Sequence, residues 1–322
     1  MESHGGVLEV TNMPFVQKTN YGQEPSLQIR SKKDIKDFFV NLIPYIFISP
    51  FFILFVIFML YPLIYSLVLS FSEWRAGTVT FVGLENYKKL FVDPLFWKSL
   101  GITGLILVVQ VPLMLILATI LATVLNSNSL KFKGVFRLAF FLPVLIDLVT
   151  YSLVFSLIFN ENYGMINQFL SLFKIEPIKW ISDEFWAKLL IIIALTWRWT
   201  GYNAVIILSG LQNIPKDLYE SASIDGAGKI TQFFKITMPM LRPVLLFCCI
   251  LSTIGTLQLF AEPFVLTDGG PRHETTTIIL YLYDKAFSSF DFGLASAGAY
   301  VLTTIIGILS YLQIRLSKGG EV

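Results

Sequence analysis

The amino-acid sequence predicts an all-α integral membrane protein with six transmembrane helices. Of its 322 residues, 55% are hydrophobic and 14% are charged, whereas soluble domains carry about 25% charged residues. Six apolar runs are long enough to cross a bilayer as a helix, which takes about 20 residues. These runs cover residues 42–69, 100–125, 136–159, 187–210, 244–264 and 292–314. Because their number is even, both termini are expected on the same side of the membrane.

The distribution of positive charge predicts which side that is. Fourteen lysines and arginines lie in the tails and connections on the side of the termini, against eight on the opposite side. Cytoplasmic segments carry the excess of such residues. Residues 1–40 and 316–322 are therefore expected to be cytoplasmic tails that flank a membrane domain at 41–315. The first forty residues contain no apolar core followed by a small-residue cleavage site, which indicates a retained tail and not a signal peptide.

Several residues inside the spans disturb a regular helix or fill space. A proline lacks a backbone donor and clashes with the preceding helical turn, which predicts a kinked first span and local distortions in the second and third. The prolines concerned are Pro44, Pro50, Pro62, Pro112 and Pro143. The adjacent Cys248 and Cys249 lie in an apolar run and are interpreted as small apolar fillers, so neither a metal site nor a disulfide is expected.

The connection between the fourth and fifth spans, residues 211–243, predicts two short amphipathic helices joined at Gly226. Apolar residues recur at helical spacing on both sides of this glycine, and Pro239 is expected to end the second helix. Gly226 can adopt a positive φ between the helices at little steric cost. Such a helical pair suits docking into a groove of another protein; the alternative is a pair of interfacial helices that lie on the lipid.

The glycine-rich part of this connection is not a phosphate-binding loop. A P-loop has a glycine, four residues and then Gly-Lys-Ser/Thr, so that backbone N–H groups wrap the phosphates. Here the residue five before Gly228 is Ser223, and Lys229 is followed by Ile230. The chain is therefore expected to bind no nucleotide, and any ATP has to be bound by a partner.

The same connection resembles the EAA loop of permease subunits of bacterial ATP-binding-cassette importers. Glu220-Ser221-Ala222 is followed after three residues by Gly226, and after nine further residues by Ile236-Thr237-Met238-Pro239. Ser221 stands for the usual alanine and Met238 for the usual leucine. The stretches GLQNIPKDLYESASIDGAG and TDGGPRHETTT are similar to carbohydrate-type permeases, such as those for maltose, lactose and arabinose. The similarity extends from about the first span through the sixth.

The resemblance implies a multi-pass subunit of the bacterial cytoplasmic membrane that works with several partners. These are a second, related permease, a dimer of cytoplasmic ATPases, an extracytoplasmic substrate-binding protein and the membrane lipid, whereas nucleic acid and a cofactor of its own are not expected. In this family the EAA loop seats in a cleft of the ATPase. The resemblance therefore implies ATPase-coupling roles for Glu220, Ser221, Ala222, Asp225, Gly226, Ala227 and Pro239. Asp225 is alternatively only a cap of the second short helix.

A cluster of polar and aromatic residues in the fourth span predicts a substrate pathway. Polar residues are costly inside a span and mark a pathway or a packing contact. The stretch TWRWTGYNA contains Trp199, Tyr202 and Asn203, which supply rings for the flat faces of a sugar and an amide for its hydroxyls. The alternative is that the aromatic rings anchor the helix at the membrane interface.

The fifth span contributes a second set of candidate pathway residues. Ser252, Thr256 and Phe260 recur every four residues and are expected to share one face of a helix. The resemblance to the maltose permease implies a sugar-contacting face made of Ser252, Gly255, Thr256 and Leu259. Serines and threonines also hold membrane helices together, which is the other interpretation of these residues.

Three charged residues within the spans require partners. Asp147 in the third span and Arg198 in the fourth each lie near mid-membrane by residue count. Because an isolated charge there is costly, the two are predicted to form a salt bridge. Glu262 is expected at the outer end of the fifth span, where it meets the delivery protein or the substrate.

The connection after the fifth span predicts a sharp turn at Gly269-Gly270-Pro271. This turn and the threonine run Thr275–Thr277 lead to a surface that resembles the contact region for the substrate-binding protein. His273 is interpreted as a solvated loop residue. A metal site is not expected, since no second histidine lies nearby.

The resemblance implies a subunit that translocates a di- or oligosaccharide by alternating access, with ATP hydrolysis on a partner and no catalytic chemistry of its own. Within the same family, glycerol phosphate or another polyol is the alternative substrate. An ion-coupled secondary transporter is the alternative from a different class. It would take up its substrate without an ATPase and would contain inverted repeats, of which the sequence shows no obvious sign.

Overall fold

A computed structural model describes residues 32–75, 77–127 and 130–318, with side chains from residue 42 onward except at positions 75, 317 and 318. The predictions for residues 1–31 and 319–322 lie outside the described residues. The chain divides into two units, one that ends at Pro62 and one that begins at Leu63.

The first unit is helical from its first described residue. Helix α1 spans Lys32–Phe55, so it begins within the segment predicted as a tail, and Pro44 and Pro50 lie inside it without ending it. A π-helical turn follows at Val56–Leu60. This wider turn precedes Pro62, whose ring would clash with a carbonyl of the preceding turn in a regular α-helix.

Helices α2 to α13 and one β-hairpin make up the rest of the described chain. Their bounds are α2 (Tyr61–Ser70), β1 (Ser72–Arg75), β2 (Thr78–Phe81), α3 (Glu85–Val92), α4 (Pro94–Asn126), α5 (Lys133–Leu145), α6 (Leu148–Ile158), α7 (Met165–Ser171), α8 (Glu184–Gln212), α9 (Lys216–Ile224), α10 (Lys229–Gln232), α11 (Met238–Leu257), α12 (Ile278–Tyr283) and α13 (Phe292–Lys318). Further π-helical turns lie at Phe233–Thr237, Pro263–Thr267 and Asp284–Ser288. Strands β1 and β2 pair antiparallel, with Ser72 opposite Phe81, and this hairpin is the one exception to the all-α prediction among the described residues.

Five helical segments are long and apolar enough to cross a membrane, and a bent helix pair makes a sixth. They are Leu42–Ser70, Pro94–Asn126, the pair α5 and α6, Glu184–Gln212, Lys229–Leu257 and Phe292–Leu316. Each predicted span corresponds to one of these segments. Two spans differ in form from the prediction, since α5 and α6 meet at an angle of 98° and the fifth span ends at Leu257.

Helix α8 packs against α4, α5 and α11 within the second unit. It begins at Asp183, whose side chain accepts the N–H groups of Phe185 and Trp186, a cap that satisfies backbone donors at the start of the helix. Helix α4 begins in the same way at Asp93, which accepts the N–H group of Leu95. The buried apolar side chains form one cluster around α6 and α8, one between α4, α8 and α11, and one between α4, α12 and α13.

Helices α5 and α8 are in close backbone contact at Gly201. A Cβ atom on this residue would lie 1.7 Å from the carbonyl oxygen of Phe140, so only glycine permits this distance between the two backbones. The contact brings the end of α5 beside the middle of α8, where the candidate pathway residues lie.

Candidate functional site

A cavity of about 380 Å³ lies between α4, α6, α8 and α11. The segment Gln258–Glu262, which follows α11, also contributes to its wall. All seven residues predicted for the substrate pathway line this cavity: Trp199, Tyr202, Asn203, Ser252, Gly255, Thr256 and Leu259. The fold thus brings the two candidate sets from the fourth and fifth spans together, and their contact with a substrate stays a prediction.

The aromatic and amide groups of α8 face the cavity because of their helical spacing. Leu195, Trp199 and Tyr202 follow one another at intervals of four and three residues and line the same side. The rings of Trp199 and Tyr202 meet edge to face, with centroids 5.7 Å apart. The Asn203 amide donates to the carbonyl oxygen of Trp199 at 3.0 Å, which fixes it against the helix. Trp197 points elsewhere and lines a separate apolar hollow between α4, α5 and α8.

Helix α11 presents Ser252, Gly255 and Thr256 to the cavity. Thr256 Oγ1 donates to Gln110 Oε1 on α4 at 3.3 Å, which joins two walls of the cavity. The prediction that Phe260 continues this helical face is wrong, because α11 ends at Leu257. The N–H group of Gln258 is shared between the carbonyl oxygens of Ile254 and Gly255, and that of Leu259 donates to Thr256, three residues back, which tightens the last turn. Phe260 lines the cavity from the non-helical segment that follows.

Two glutamines also line the cavity and were not predicted from the sequence. Gln110 lies on α4 within the apolar run GLILVVQVPLMLIL, and an isolated amide in such a run is itself a signal of a pathway or packing role. Gln258 reaches the cavity because the chain leaves the helix after Leu257. No sequence pattern indicated that break.

Asp147 and Arg198 do not form the predicted salt bridge, because each binds backbone groups at the break between α5 and α6. Arg198 is buried, and its guanidinium donates to carbonyl oxygens at the end of α5, namely those of Ile146 at 2.8 Å, Val144 at 3.2 Å and Pro143 at 3.4 Å. Asp147 Oδ2 accepts the N–H groups at the start of α6, those of Val149 at 3.0 Å and Thr150 at 3.1 Å. A helix end leaves carbonyls unpaired and a helix start leaves N–H groups unpaired, so the break attracts one cation and one anion.

An aromatic residue links Arg198 to the cavity wall. The Arg198 guanidinium lies 4.5 Å from the centroid of the Tyr151 ring, a distance at which a cation and a ring attract each other. The Tyr151 hydroxyl donates to Glu262 Oε1. Glu262 is buried and lines the cavity. Its predicted contact with the substrate or with the delivery protein stays a prediction.

Helices α9 and α10 form the predicted helical pair joined at Gly226. This glycine has a φ of +82°. The N–H groups of Gly226 and Ala227 donate to the carbonyl oxygens of Ser223 at 3.1 Å and Ala222 at 2.8 Å, a Schellman motif that ends a helix with a left-handed residue. A Cβ atom at Gly226 would meet no atom within 4 Å, so glycine is needed here for its backbone conformation and not for space.

Two predictions about this pair were wrong. Asp225 lies at the C-terminal end of α9 and does not cap α10, whose N-cap residue is Gly228. Pro239 does not end the second helix, because α10 continues through the π-helical turn Phe233–Thr237 into α11. The wider π turn leaves room for the proline ring just beyond it.

The helical pair, residues 216–237, presents an apolar surface and an acidic side chain. Ile224, Ile230 and Phe234 are 87%, 76% and 65% exposed, and Glu220 is exposed as well. Side-chain hydrogen bonds hold the pair together, between Tyr219 and Thr237 at 2.8 Å and between Gln232 and Ser223 at 2.8 Å. An ordered, exposed apolar surface of this kind is typical of a docking site for another protein.

Glu274 joins the segment Asp268–Thr277 to α4 and α8. Glu274 forms ion pairs with Lys188 and, at 2.9 Å, with Lys98, and hydrogen bonds from these lysines hold the pKa of its carboxyl below the usual value. Thr275–Thr277 are buried, so this run belongs to the core and not to a contact surface. Among the described residues there is no group of three or more histidine, cysteine or acidic side chains arranged to hold a metal ion.

Comparison with known proteins gives the family of the chain. Residues 29–318 match the family described as binding-protein-dependent transport system inner membrane component. The lactose transport system permease protein of Rhizobium radiobacter is 44% identical over 279 residues, which cover 85% of this chain and 93% of that protein. An arabinooligosaccharides transport system permease protein of Halalkalibacterium halodurans is 36% identical over 307 residues, 93% of this chain and 97% of that one. The sulfoquinovosyl glycerol transport system permease protein of Agrobacterium fabrum is 34% identical over 281 residues, 86% of this chain and 91% of that one.

Solved structures show the same fold. One chain of a bacterial ABC transporter involved in the import of the acidic polysaccharide alginate superposes with a TM-score of 0.78 at 19% sequence identity. The superposition covers 90% of this chain and 99% of the other. The matched family, the relatives and the shared arrangement of helices agree over nearly all of the described residues. The chain belongs to the family of binding-protein-dependent transport system inner membrane components.

Proposed function

We propose that this chain is a permease subunit of a carbohydrate importer and that the sugar passes through the cavity between α4, α6, α8 and α11. The observation that carries the proposal is the wall of that cavity, where the rings of Trp199 and Tyr202 lie near the amides of Asn203, Gln110 and Gln258. Sugars offer flat apolar faces and outward hydroxyls, and this wall has groups for both. The names of two relatives, for lactose and for arabinooligosaccharides, support a di- or oligosaccharide.

The helical pair at residues 216–237 is proposed to transmit the work of an ATPase to the cavity. Helix α8 leads into α9 through three residues only, and α10 continues into α11, so the pair connects the two helices that carry most of the cavity wall. Ile224, Ile230 and Phe234 would fill an apolar groove on the ATPase, and Glu220 would make the polar contact. ATP is bound and hydrolysed by that partner, and this chain supplies no catalytic group.

The remaining partners and the location follow from the same proposal. A second, related permease completes the translocation path, an ATPase dimer binds the helical pairs, and a substrate-binding protein delivers the sugar. The family description, which names binding-protein dependence and the inner membrane, supports the last of these. Lipid covers the exposed apolar side chains of the first span, Leu42–Ser70. Both termini are cytoplasmic, in accordance with the excess of positive charge on their side.

Alternating access connects these parts. Closure of the ATPases on ATP draws the helical pairs together, and the attached helices α8 and α11 then open the cavity towards the binding protein. Hydrolysis returns them to a form that releases the sugar into the cell. The polar contact of Glu220 and the left-handed conformation of Gly226 are the two features of this chain on which transmission depends.

Sugar-stimulated ATP hydrolysis by the reconstituted transporter tests the proposal. Wild type is compared with Glu220→Ala and Gly226→Pro over neutral oligosaccharides and glycerol phosphate. We expect both variants to assemble and to lose the stimulation, whereas Glu176→Ala, which removes an exposed glutamate elsewhere, retains it. Unchanged stimulation in both variants would refute the coupling role, and stimulation by glycerol phosphate alone would replace the carbohydrate. Uptake that proceeds without the ATPase would favour an ion-coupled transporter.

A further inference from the structure

The charge of the transported carbohydrate is not decided by family membership. One relative is named for lactose, a neutral sugar, and another for sulfoquinovosyl glycerol, which carries an anionic sulfonate. Resting on the proposed function, we infer that Glu262 makes the cavity selective for neutral carbohydrates and excludes anionic ones, such as sulfonated sugars, sugar acids and glycerol phosphate.

Glu262 is the one charged side chain among the sixteen residues that line the cavity, all of which lie in the described part of the chain. It is 3% exposed. The Tyr151 hydroxyl donates to its Oε1. A carboxylate oxygen accepts more than one hydrogen bond, so the side chain can also accept one from a sugar hydroxyl.

The nearest cation does not offer its charge to a ligand in the cavity. Arg198 is not among the lining residues, and Nη1 and Nη2 of its guanidinium donate to three carbonyl oxygens at the end of α5. It stacks on the ring of Tyr151, the residue whose hydroxyl binds Glu262. Arg198 therefore lies behind the wall and presents no positive group to the cavity.

An anionic ligand would consequently face Glu262 with no compensating cation in the wall. Charges inside a protein are screened much less than charges in water, and placing like charges side by side in a binding site strongly disfavours the wrong ligand. A neutral sugar avoids this cost, since it donates a hydroxyl to Glu262 and stacks a face on Trp199. The polar and aromatic groups of the wall select a carbohydrate as the ligand, and Glu262 selects against ligands that carry a negative charge.

Matched pairs of neutral and acidic sugars test this inference. The probes are lactose with lactobionate, and arabinotriose with its aldonic acid. Their binding to the purified transporter is measured without the substrate-binding protein, so that selection by that protein does not enter. We expect wild type to bind the neutral member of a pair at least about tenfold more tightly than the acid. In Glu262→Gln this preference should fall by about the same factor.

A second variant keeps the test decisive if Glu262→Gln does not fold. Gln258→Lys leaves Glu262 and its hydrogen bond in place and adds a cation to the same wall, so the acids should gain about tenfold in affinity relative to the neutral sugars. Glu176→Gln, which removes an exposed charge far along the sequence, should change neither value.

The outcomes separate this inference from the function on which it rests. Equal binding of both members of a pair by wild type, or an unchanged preference in either cavity variant, would overturn the role of Glu262 and leave carbohydrate transport standing. Binding of no member of any pair, together with no stimulation of ATP hydrolysis by any oligosaccharide, would remove the carbohydrate function and this inference with it.

Discussion

Two interrupted helices in this chain are stabilised in opposite ways. The break between α5 and α6 lies in an apolar span, where Arg198 and Asp147 bind the backbone groups that the break leaves unpaired. The break between α9 and α10 lies in a polar connection, where the left-handed Gly226 lets the backbone groups bind one another. Lipid supplies no hydrogen bonds, so a broken span needs side chains as partners, whereas an exposed turn needs only the right backbone conformation.

The largest expected effect is on the contact between Gly201 of α8 and Phe140 of α5, which positions the end of α5 beside Arg198. Gly201→Ala would put a methyl group 1.7 Å from the Phe140 carbonyl oxygen, so α5 must move and the carbonyls at its end lose their partner. We expect the free energy of unfolding to fall by about 3 kcal/mol or more, measured by denaturation of the purified chain in detergent. Gly104→Ala on α4 is the control, because a Cβ atom there meets no atom within 4 Å. Similar losses of unfolding free energy in Gly201→Ala and Gly104→Ala would contradict this account of the contact between α5 and α8.

The next largest effect is expected at Arg198 itself. Arg198→Met leaves buried carbonyl oxygens at the end of α5 unpaired, which should lower the free energy of unfolding by about 2–5 kcal/mol. Arg198→Lys should give an intermediate loss, since an ammonium group cannot reproduce the fork of the guanidinium. Both values come from the same denaturation experiment.

Exchange of the two charges distinguishes backbone binding from an ion pair. The double variant Asp147→Arg with Arg198→Asp would restore a salt bridge if one existed. We expect no recovery over the single variants, because an aspartate at position 198 would face carbonyl oxygens and an arginine at position 147 would face N–H groups. Recovery of stability or assembly by the double variant would reinstate the ion pair.

The exposed break should respond much less to substitution. Gly226→Ala strains a residue whose φ is +82° without creating a clash, so we expect a loss of about 1 kcal/mol, and a smaller loss for Gly226→Asn, since asparagine tolerates the left-handed region. Gly228→Ala is the matched control, because its φ of −67° suits any residue. Thermal unfolding and sugar-stimulated ATP hydrolysis are measured together. A loss at position 228 as large as that at 226 would show that side-chain space, and not backbone conformation, is limiting.

The same comparison explains how much of the structure was predictable. The exposed turn was found from local signals, the helical spacing of apolar residues and a single glycine. The seven residues predicted for the pathway line one cavity; those of α8 were chosen as a polar and aromatic cluster within a span, and those of the fifth span from helical spacing and the resemblance. Their contact with a substrate stays a prediction. The break between α5 and α6 was not found. Pro143 indicated a distortion, but the bend depends on a contact with Arg198, fifty-odd positions along the chain, and two opposite charges near mid-membrane favoured the simpler interpretation of an ion pair. Gln258 was missed for a similar reason, since nothing local marks the end of α11.

The smallest expected effect comes from comparing how stability depends on pH for two charged side chains, one that binds neutral groups and one that binds other charges. The carbonyl groups that accept hydrogen bonds from Arg198 do not titrate, so the contribution of these hydrogen bonds to stability should not depend on pH. Glu274 differs, because hydrogen bonds from Lys188 and Lys98 hold its carboxyl pKa below the usual value of 4.5. A carboxyl whose pKa is lower in the folded chain contributes stability that is fully present above its unfolded pKa and is lost as the pH falls through its folded pKa.

Glu274→Gln should therefore be less stable than wild type at pH 7, by about 1 kcal/mol or less for a partly exposed group, and the difference should vanish in acid below the folded pKa. Arg198→Met should keep its deficit over the same range, and a deficit that disappeared in acid would place a titrating carboxylate, and not backbone carbonyls, opposite the guanidinium.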